Sequence, residues 1–194
     1  MISIDARAGL VVLLGLALAG CDDGTGPGDD PVYLPLTIGN AWTYAPEDAR
    51  FGEPFTWRVT DRSADTVTVD RPPAGSHPGP VRLLDRRRAV DLLTDGDAVP
   101  FYRFDGGASW VHRDPWECDD GATYVAVPEP DPVTTPAGTF RDCLRIERRT
   151  SATCTDAGTM YEWWAPGVGL VRWEELNFYA GGPLAFRLVA YDVD

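Results

Sequence analysis

The stretch FTWRVTDRSADTVTV, residues 55–69, decides the fold class. Phe55, Trp57 and Val59 alternate with polar residues, and this period of two places apolar side chains on one face of a half-buried strand. Residues 63–65 interrupt the alternation with Ser-Ala-Asp, and residues 66–69 resume it as Thr-Val-Thr-Val. Two alternating segments joined by a short polar turn predict a β-hairpin.

The same pattern recurs along most of the chain, and turn signals such as Asp95-Gly96-Asp97 separate the segments. Further strands are predicted at 33–36, 81–84, 90–93, 99–104, 109–112, 123–127, 139–148, 159–164, 170–178 and 184–191. In the last of these, one face is expected to carry Leu184, Phe186, Leu188 and Ala190. No segment shows a sustained helical period bounded by caps. The prediction is an all-β domain, an antiparallel meander curled into a barrel or half-barrel.

The N-terminal residues lack this alternation and instead form a short apolar run. Arg7 precedes a run of about a dozen apolar residues, fewer than the ~20 that a membrane-spanning helix needs. A cationic start, a short apolar core and small residues at its end are typical of a secretory signal peptide. Leu18-Ala19-Gly20-Cys21 resembles the lipobox of bacterial lipoproteins, in which the Cys sulfur is joined to a diacylglycerol. The alternative is an ordinary signal peptide that ends near a cysteine.

These features predict three parts: a lipoprotein signal peptide at 1–20, a flexible acidic and Gly/Pro-rich tether at 21–31, and the β domain at 32–194. Cys21 is expected to hold the protein on a membrane of the bacterial cell envelope through its lipid, with the folded domain outside the cytoplasm. The sequence leaves open whether that membrane is the inner or the outer one.

The charge of the chain excludes one class of partner. All 17 basic residues are arginines, and 30 acidic residues give a net charge of -13. Proteins that bind nucleic acid need a basic face for the phosphates, so no nucleic-acid partner is expected.

Lipidation of Cys21 leaves three cysteines in an oxidising compartment, where a disulfide can form. Three thiols allow three single pairings. The favoured pair is Cys118 with Cys154, because both lie in polar segments rich in Gly or Asp, and Cys143 is then the buried spare thiol within a strand. A metal site formed by Cys118 and the two aspartates after it competes with this interpretation, but it lacks a CxxC or a pair of histidines. We therefore predict no metal and no other cofactor.

The chain contains two histidines, His77 and His112, and neither shows a catalytic pattern. Neither lies in a GxSxG, HExxH or paired-histidine context. His77 is expected in a solvated loop, and His112 on the outward face of a strand.

Three stretches resemble one group of bacterial lipoproteins and secreted proteins. They are PLTIGNAWTY (35–44), TPAGTFRDCLRIE (135–147) and EWWAPGVGLVRWE (162–174). Their pattern is similar to the domain-of-unknown-function family 3108 and its relatives. The resemblance implies a meandering antiparallel sheet that curls into a barrel or half-barrel, and it implies no specific activity.

The tryptophans carry the functional hypothesis. Trp163 and Trp164 are adjacent, so on a regular strand their rings point to opposite faces and cannot both lie in the core. With Trp110 and Trp173 they are expected to form a contact patch for a hydrophobic ligand or an envelope protein. The hypothesis is a membrane-anchored, non-enzymatic binding or assembly module. Two alternatives stay open: a carboxylate-based hydrolase of envelope glycans or lipids, and a purely structural envelope lipoprotein.

Overall fold

Alternating apolar residues form strands along almost the whole described chain. The computed structural model describes residues 30–71, 79–112, 122–149, 157–177 and 182–194, and side chains within the last two ranges are described at 160–175 and 183–194. In this part of the chain the strands are β1 Ala41–Pro46, β2 Phe55–Ser63, β3 Thr66–Val69, β4 Val81–Asp85, β5 Ala89–Thr94, β6 Asp97–Arg103, β7 Ser109–His112, β8 Ala122–Pro128, β9 Val133–Thr135, β10 Gly138–Phe140, β11 Leu144–Arg149, β12 Ala157–Ala165, β13 Gly169–Asn177 and β14 Gly182–Asp192. A single turn of 3-10 helix, Ala49–Phe51, follows β1.

Twelve of these strands form one antiparallel sheet in the order β6-β5-β4-β3-β2-β1-β14-β13-β12-β11-β8-β7. Each half of the chain runs as a meander, and the two meanders meet where β1 pairs with β14. The strands β9 and β10 form a separate two-stranded hairpin. The predicted all-β class and antiparallel meander are confirmed, and so is the hairpin at 55–69 that indicated them.

Side chains bring together the two edge strands of the sheet, β6 and β7. The indole Nε1 of Trp110 donates to the Phe101 carbonyl at 3.0 Å, and His112 Nδ1 lies 2.6 Å from the Pro100 carbonyl oxygen. These bonds take the place of a backbone ladder, so the sheet is nearly closed into a barrel. The predicted outward position of His112 is wrong: it is 4% exposed, because β7 alternates in phase with the buried Trp110.

The core is built largely from aromatic rings. Trp42 of β1 stacks on Trp57 of β2 with ring centroids 4.0 Å apart, and its Nε1 donates to the Val168 carbonyl at 2.6 Å. Gly169 directly follows Val168 in the third family-like stretch and has φ +114. A Cβ there would lie 3.0 Å from Trp42 Nε1, so this glycine lets the turn between β12 and β13 reach the buried indole.

The first predicted strand is wrong. Residues 33–36 form no strand, although Tyr33, Leu34 and Leu36 are buried. Pro35 has no N–H to give to a ladder, so this segment packs through its side chains instead. Tyr33 stacks on Phe104 with centroids 5.7 Å apart.

Two further differences arise from irregular backbone. The predicted strand 139–148 is divided into β10 and β11 by residues 141–143, where Asp142 adopts φ +56 and ends the extended conformation. In β14, the register against β1 shifts so that Leu188 pairs with Tyr44 and Ala190 pairs with Thr43. This bulge turns Ala190 away from the face of Leu184, Phe186 and Leu188, and Ala190 is exposed.

Candidate binding cleft

A row of side chains crosses the outer face of the sheet at one level. Arg145 of β11 pairs with Trp163 of β12, Trp163 pairs with Arg172 of β13, and Arg172 pairs with Arg187 of β14. Directly paired residues of antiparallel strands lie on the same face with their Cβ atoms ~5 Å apart. Strand register therefore assembles three arginines and one tryptophan from four strands.

Trp163 is the fixed centre of this row. The Arg172 guanidinium lies 4.8 Å from the centroid of its ring, a cation–π contact. On its edge, Nε1 donates to Glu129 Oε2 at 2.9 Å, and Arg145 Nη1 donates to the same oxygen at 3.3 Å. The ring is only 8% exposed, so it orients its neighbours and offers little open surface of its own.

The two arginines beside it, Arg172 and Arg187, stand directly opposite each other. Like charges in such a pair destabilise a sheet. Glu47 Oε1 lies 3.5 Å from the Nε of each arginine and offsets part of this repulsion. Arg172 also donates through Nη2 to Glu174 Oε1 at 2.6 Å. Glu47 is held at the end of β1 by its backbone N–H, which donates to the Ala185 carbonyl at 2.8 Å.

The hairpin β9–β10 borders the row. It is tied to β14 by the Ala137 N–H, which donates to the Leu188 carbonyl at 3.2 Å. Between the hairpin and the row is an open cleft of about 430 Å³. Its lining comprises Glu47, Glu129, Asp131, Trp163, Arg172, Arg187 and the segment 132–134. This volume lies within the range of small-molecule sites.

The charged side chains in the cleft differ in the number of polar or charged partners that they already have. Glu129 and Arg172 each hold two polar or charged partners. Arg187 is 38% exposed, and within the described part of the chain its one charged partner is Glu47. Asp131 is exposed and makes no described hydrogen bond or ion pair. The cleft therefore presents an open guanidinium and an open carboxylate to solvent.

The polar side chains of this lining include three carboxylates, two guanidiniums and one hydroxyl. Thr134 supplies the single hydroxyl among the described lining residues, and no described cysteine or histidine lies beside it. The arrangement is suited to holding a polar ligand by hydrogen bonds and charge.

The four tryptophans expected to form a contact patch lie in two environments. All four are buried, at 8% exposure or less, and Trp163 differs from the others in that it also borders the cleft. Trp164 is completely buried and packs 4.7 Å from Tyr102, whereas Trp163 lies on the other side of the same strand. The sheet thus separates the adjacent rings, and no joint aromatic surface of the four is formed.

One carboxylate, Glu162, lies in the interior although the sequence pattern did not lead us to predict it. Glu162 is 3% exposed, accepts from Trp164 Nε1 at 2.8 Å and lies 3.4 Å from the Tyr102 hydroxyl, which donates to it. Burial, and next the charge of Glu162, hold the pKa of the Tyr102 phenol well above its usual value of 10.0. The signal was present, because Glu162 alternates in phase with Trp164.

Most residues of the predicted disulfide, lipidation and metal sites belong to segments that the structure does not describe. Cys21, Cys118 and Cys154 lie outside the described residues, as do His77 and the aspartates after Cys118. Cys143 is a buried free thiol just before β11. Burial, with the nearby charges of Glu129 and Asp142, raises its pKa to about 12, so it is a protonated, unreactive thiol at neutral pH.

Two features are absent from the part of the chain that the structure describes. No group of three or more His, Cys, Asp or Glu side chains is placed to hold a metal ion in that part of the chain. None of its helices has the length and apolar character to cross a membrane.

Comparison with known proteins supports the resemblance noted in the sequence. Residues 126–179 match the DUF3108-like family model, which includes the second and third family-like stretches. No curated protein sequence matches the chain significantly.

Two solved structures are similar to it in outline. One is a candidate lipoprotein of Parabacteroides distasonis, with 16% identity, 84% of this chain and 100% of that chain covered, and a TM-score of 0.45. The other is a candidate exported protein with a YmcC-like fold from Bacteroides fragilis, with 15% identity, the same 84% and 100% coverage, and a TM-score of 0.47.

Proposed function

We propose that this chain is a lipid-anchored protein of the bacterial cell envelope whose β domain binds a ligand, without catalysis, in the cleft beside Trp163. The anchor rests on the apolar run and on Leu18-Ala19-Gly20-Cys21. The binding role rests on the cleft, where charged groups converge on a volume of about 430 Å³.

One observation carries the binding role: Arg172 stands directly opposite Arg187 on the outer face. Such a pair costs stability, and Glu47 offsets it only at 3.5 Å, longer than a good hydrogen bond. A sheet surface selected for stability alone would place opposite charges there. A polar ligand that accepts hydrogen bonds from both arginines would offset their repulsion and would explain why the two lie opposite each other.

The anchor is tested by mass spectrometry of the N-terminal peptide from the envelope-purified protein. A diacylglyceryl modification on Cys21 is expected, and Cys21→Ser is expected to release the folded domain from the membrane fraction. An unmodified thiol at Cys21, or cleavage at another position, contradicts the anchor and leaves the cleft to be judged separately.

The cleft is tested with a photo-crosslinking amino acid at Thr134, an exposed lining residue, in the full chain within native membranes. We expect a discrete bound species in the mass spectrum, retained in Arg58→Gln and lost in Arg187→Gln. Arg58 is the matched control, since it is an exposed arginine on β2 away from the cleft.

A second position makes this test specific. Thr60 is an exposed threonine on β2 and does not line the cleft. Identical adducts from Thr60, or adducts from Thr134 that Arg187→Gln leaves unchanged, contradict ligand binding in the cleft.

A further inference from the structure

We propose that the ligand of the cleft is a zwitterion, whose anionic oxygen group binds between Arg172 and Arg187 and whose ammonium group binds on the side of Asp131. This inference rests on the proposed binding function and names its chemical class.

The arginine pair supplies the anion site. Guanidinium groups present donors in a planar fork that matches the oxygens of a phosphate or carboxylate. Arg172 is oriented before any ligand arrives, because the Trp163 ring and Glu174 hold it. Arg187 has donors left for a ligand, since Glu47 is its one charged partner in the described part of the chain. One fixed and one open guanidinium therefore face the same space.

The carboxylates supply the cation site. Glu129 is largely buried, and its Oε2 already accepts from Trp163 and Arg145. Asp131 is exposed at the same cleft and has no described partner, so it is the carboxylate with open acceptors. An ammonium group donates up to three hydrogen bonds and suits such an acceptor.

The mixture of charges in the lining disfavours ligands that carry charge of one sign only. Three carboxylates and two guanidiniums line the cleft, so a multiply charged anion would meet the carboxylates and a simple cation would meet the arginines. A ligand that carries both a negative and a positive group can pair the first with the arginines and the second with a carboxylate.

The position of Trp163 argues against a sugar stacked on an aromatic platform. Arg172 lies over its ring, and the ring is almost fully covered. The charged lining likewise favours a polar ligand over the hydrophobic one expected from the tryptophan count.

Two sources can supply an anionic oxygen group beside an ammonium group. One is the phosphoethanolamine headgroup of a lipid, and the other is a free amino acid. The shared chemistry is assigned to the cleft, and the arms of the experiment separate the sources.

The experiment is calorimetric titration of the detergent-purified full chain with four soluble probes: phosphoethanolamine, β-alanine, inorganic phosphate and ethanolamine. Binding of at least one zwitterion is expected to be about tenfold or more tighter than binding of phosphate or ethanolamine, because charged hydrogen bonds form at both ends. Preference for phosphoethanolamine indicates the lipid source, and the soluble headgroup glycerophosphoethanolamine should then bind more tightly than glycerophosphoglycerol. Preference for β-alanine indicates the amino-acid source.

Matched variants locate the two ends. Arg187→Gln and Asp131→Asn are each expected to lower zwitterion affinity about tenfold or more. Arg58→Gln and Asp61→Asn, exposed residues of β2 outside the cleft, are expected to leave it unchanged.

The outcomes distinguish this inference from the proposed function. Equal affinity for phosphate and for both zwitterions, or an effect of Arg187→Gln without one of Asp131→Asn, overturns the zwitterion assignment. If adducts at Thr134 still depend on Arg187 in that case, the binding function stands with another ligand. If those adducts are absent as well, both proposals fail.

Discussion

Trp163 and Trp164 are neighbours in sequence and opposites in role. Trp164 faces the barrel interior, where it is completely buried against Tyr102 and donates to Glu162. Trp163 faces outward, beneath Arg172 and beside Glu129. On the inner face aromatic rings pack against one another, whereas on the outer face of β11–β14 charged side chains surround the single ring of Trp163.

The comparison shows that the two buried tryptophans are covered in different ways. On the inner face, burial reflects packing that stabilises the barrel. On the outer face, Trp163 is covered by charged side chains whose other ends reach an open cleft. We therefore expect the inner ring to dominate stability and the outer ring to dominate the geometry of the cleft.

The largest effect is expected for Trp164→Ala. Removing a fully buried indole leaves a cavity and deprives the buried Glu162 of a donor, so the free energy of unfolding should fall by about 3–5 kcal/mol. Trp163→Ala should cost less, about 1–2 kcal/mol, because the charged side chains that cover this ring border an open cleft and can move into the vacated space. Urea denaturation of both variants measures the difference. Equal losses would remove the distinction between the two faces.

The second-largest effect tests how tightly the turn at Gly169 packs against the buried ring of Trp42. Gly169→Ala would place a Cβ 3.0 Å from Trp42 Nε1 at a backbone φ of +114. We expect a loss of about 2–4 kcal/mol from the strained conformation and the clash. Gly167→Ala is the control, because its φ is +71 and its Cβ would meet nothing within 4 Å. That control should cost about 1 kcal/mol, and thermal unfolding should rank the two variants in this order.

The inner face was largely predictable from sequence, because alternation and turn chemistry are local. Phe55, Trp57 and Val59 alternate inward, and the Asp95-Gly96 turn joins β5 to β6 with positive φ at both residues. The errors on this face also have local causes. Pro35 interrupts a ladder, and the bulge opposite Thr43 turns Ala190 outward.

The cleft was not predictable in the same way. Its row joins Arg145, Trp163, Arg172 and Arg187 from four strands, and only strand register makes them neighbours. A shift of one residue in any pairing would move a side chain to the opposite face. The sequence indicated that Trp163 and Trp164 would separate, but it carried no signal that Arg172 would cover Trp163.

A smaller effect is expected at the seam between β6 and β7, where inner side chains replace a backbone ladder. Trp110→Phe keeps a ring but removes the donor to the Phe101 carbonyl, so stability should fall by about 1–2 kcal/mol. Hydrogen exchange should quicken in β6 and β7 more than in β1 and β14, which stay paired on both sides. Val111→Ala, at an exposed position of the same strand, serves as the control. Uniform exchange across all strands would show that the seam is no weaker than the ladders.

The smallest effect concerns polar contacts on the outer face away from the cleft. Thr43 and Thr56 are paired across β1 and β2, and their hydroxyl oxygens are 2.7 Å apart. A double-mutant cycle with Thr43→Ala and Thr56→Ala should give a coupling of about 0.2–1 kcal/mol, because such a pair is accessible to water that can replace either partner. A coupling as large as the loss in Trp164→Ala would mean that outer-face polar pairs also hold the barrel together. The charged row around Trp163 would then need no ligand to explain it, since its contacts alone would stabilise the sheet.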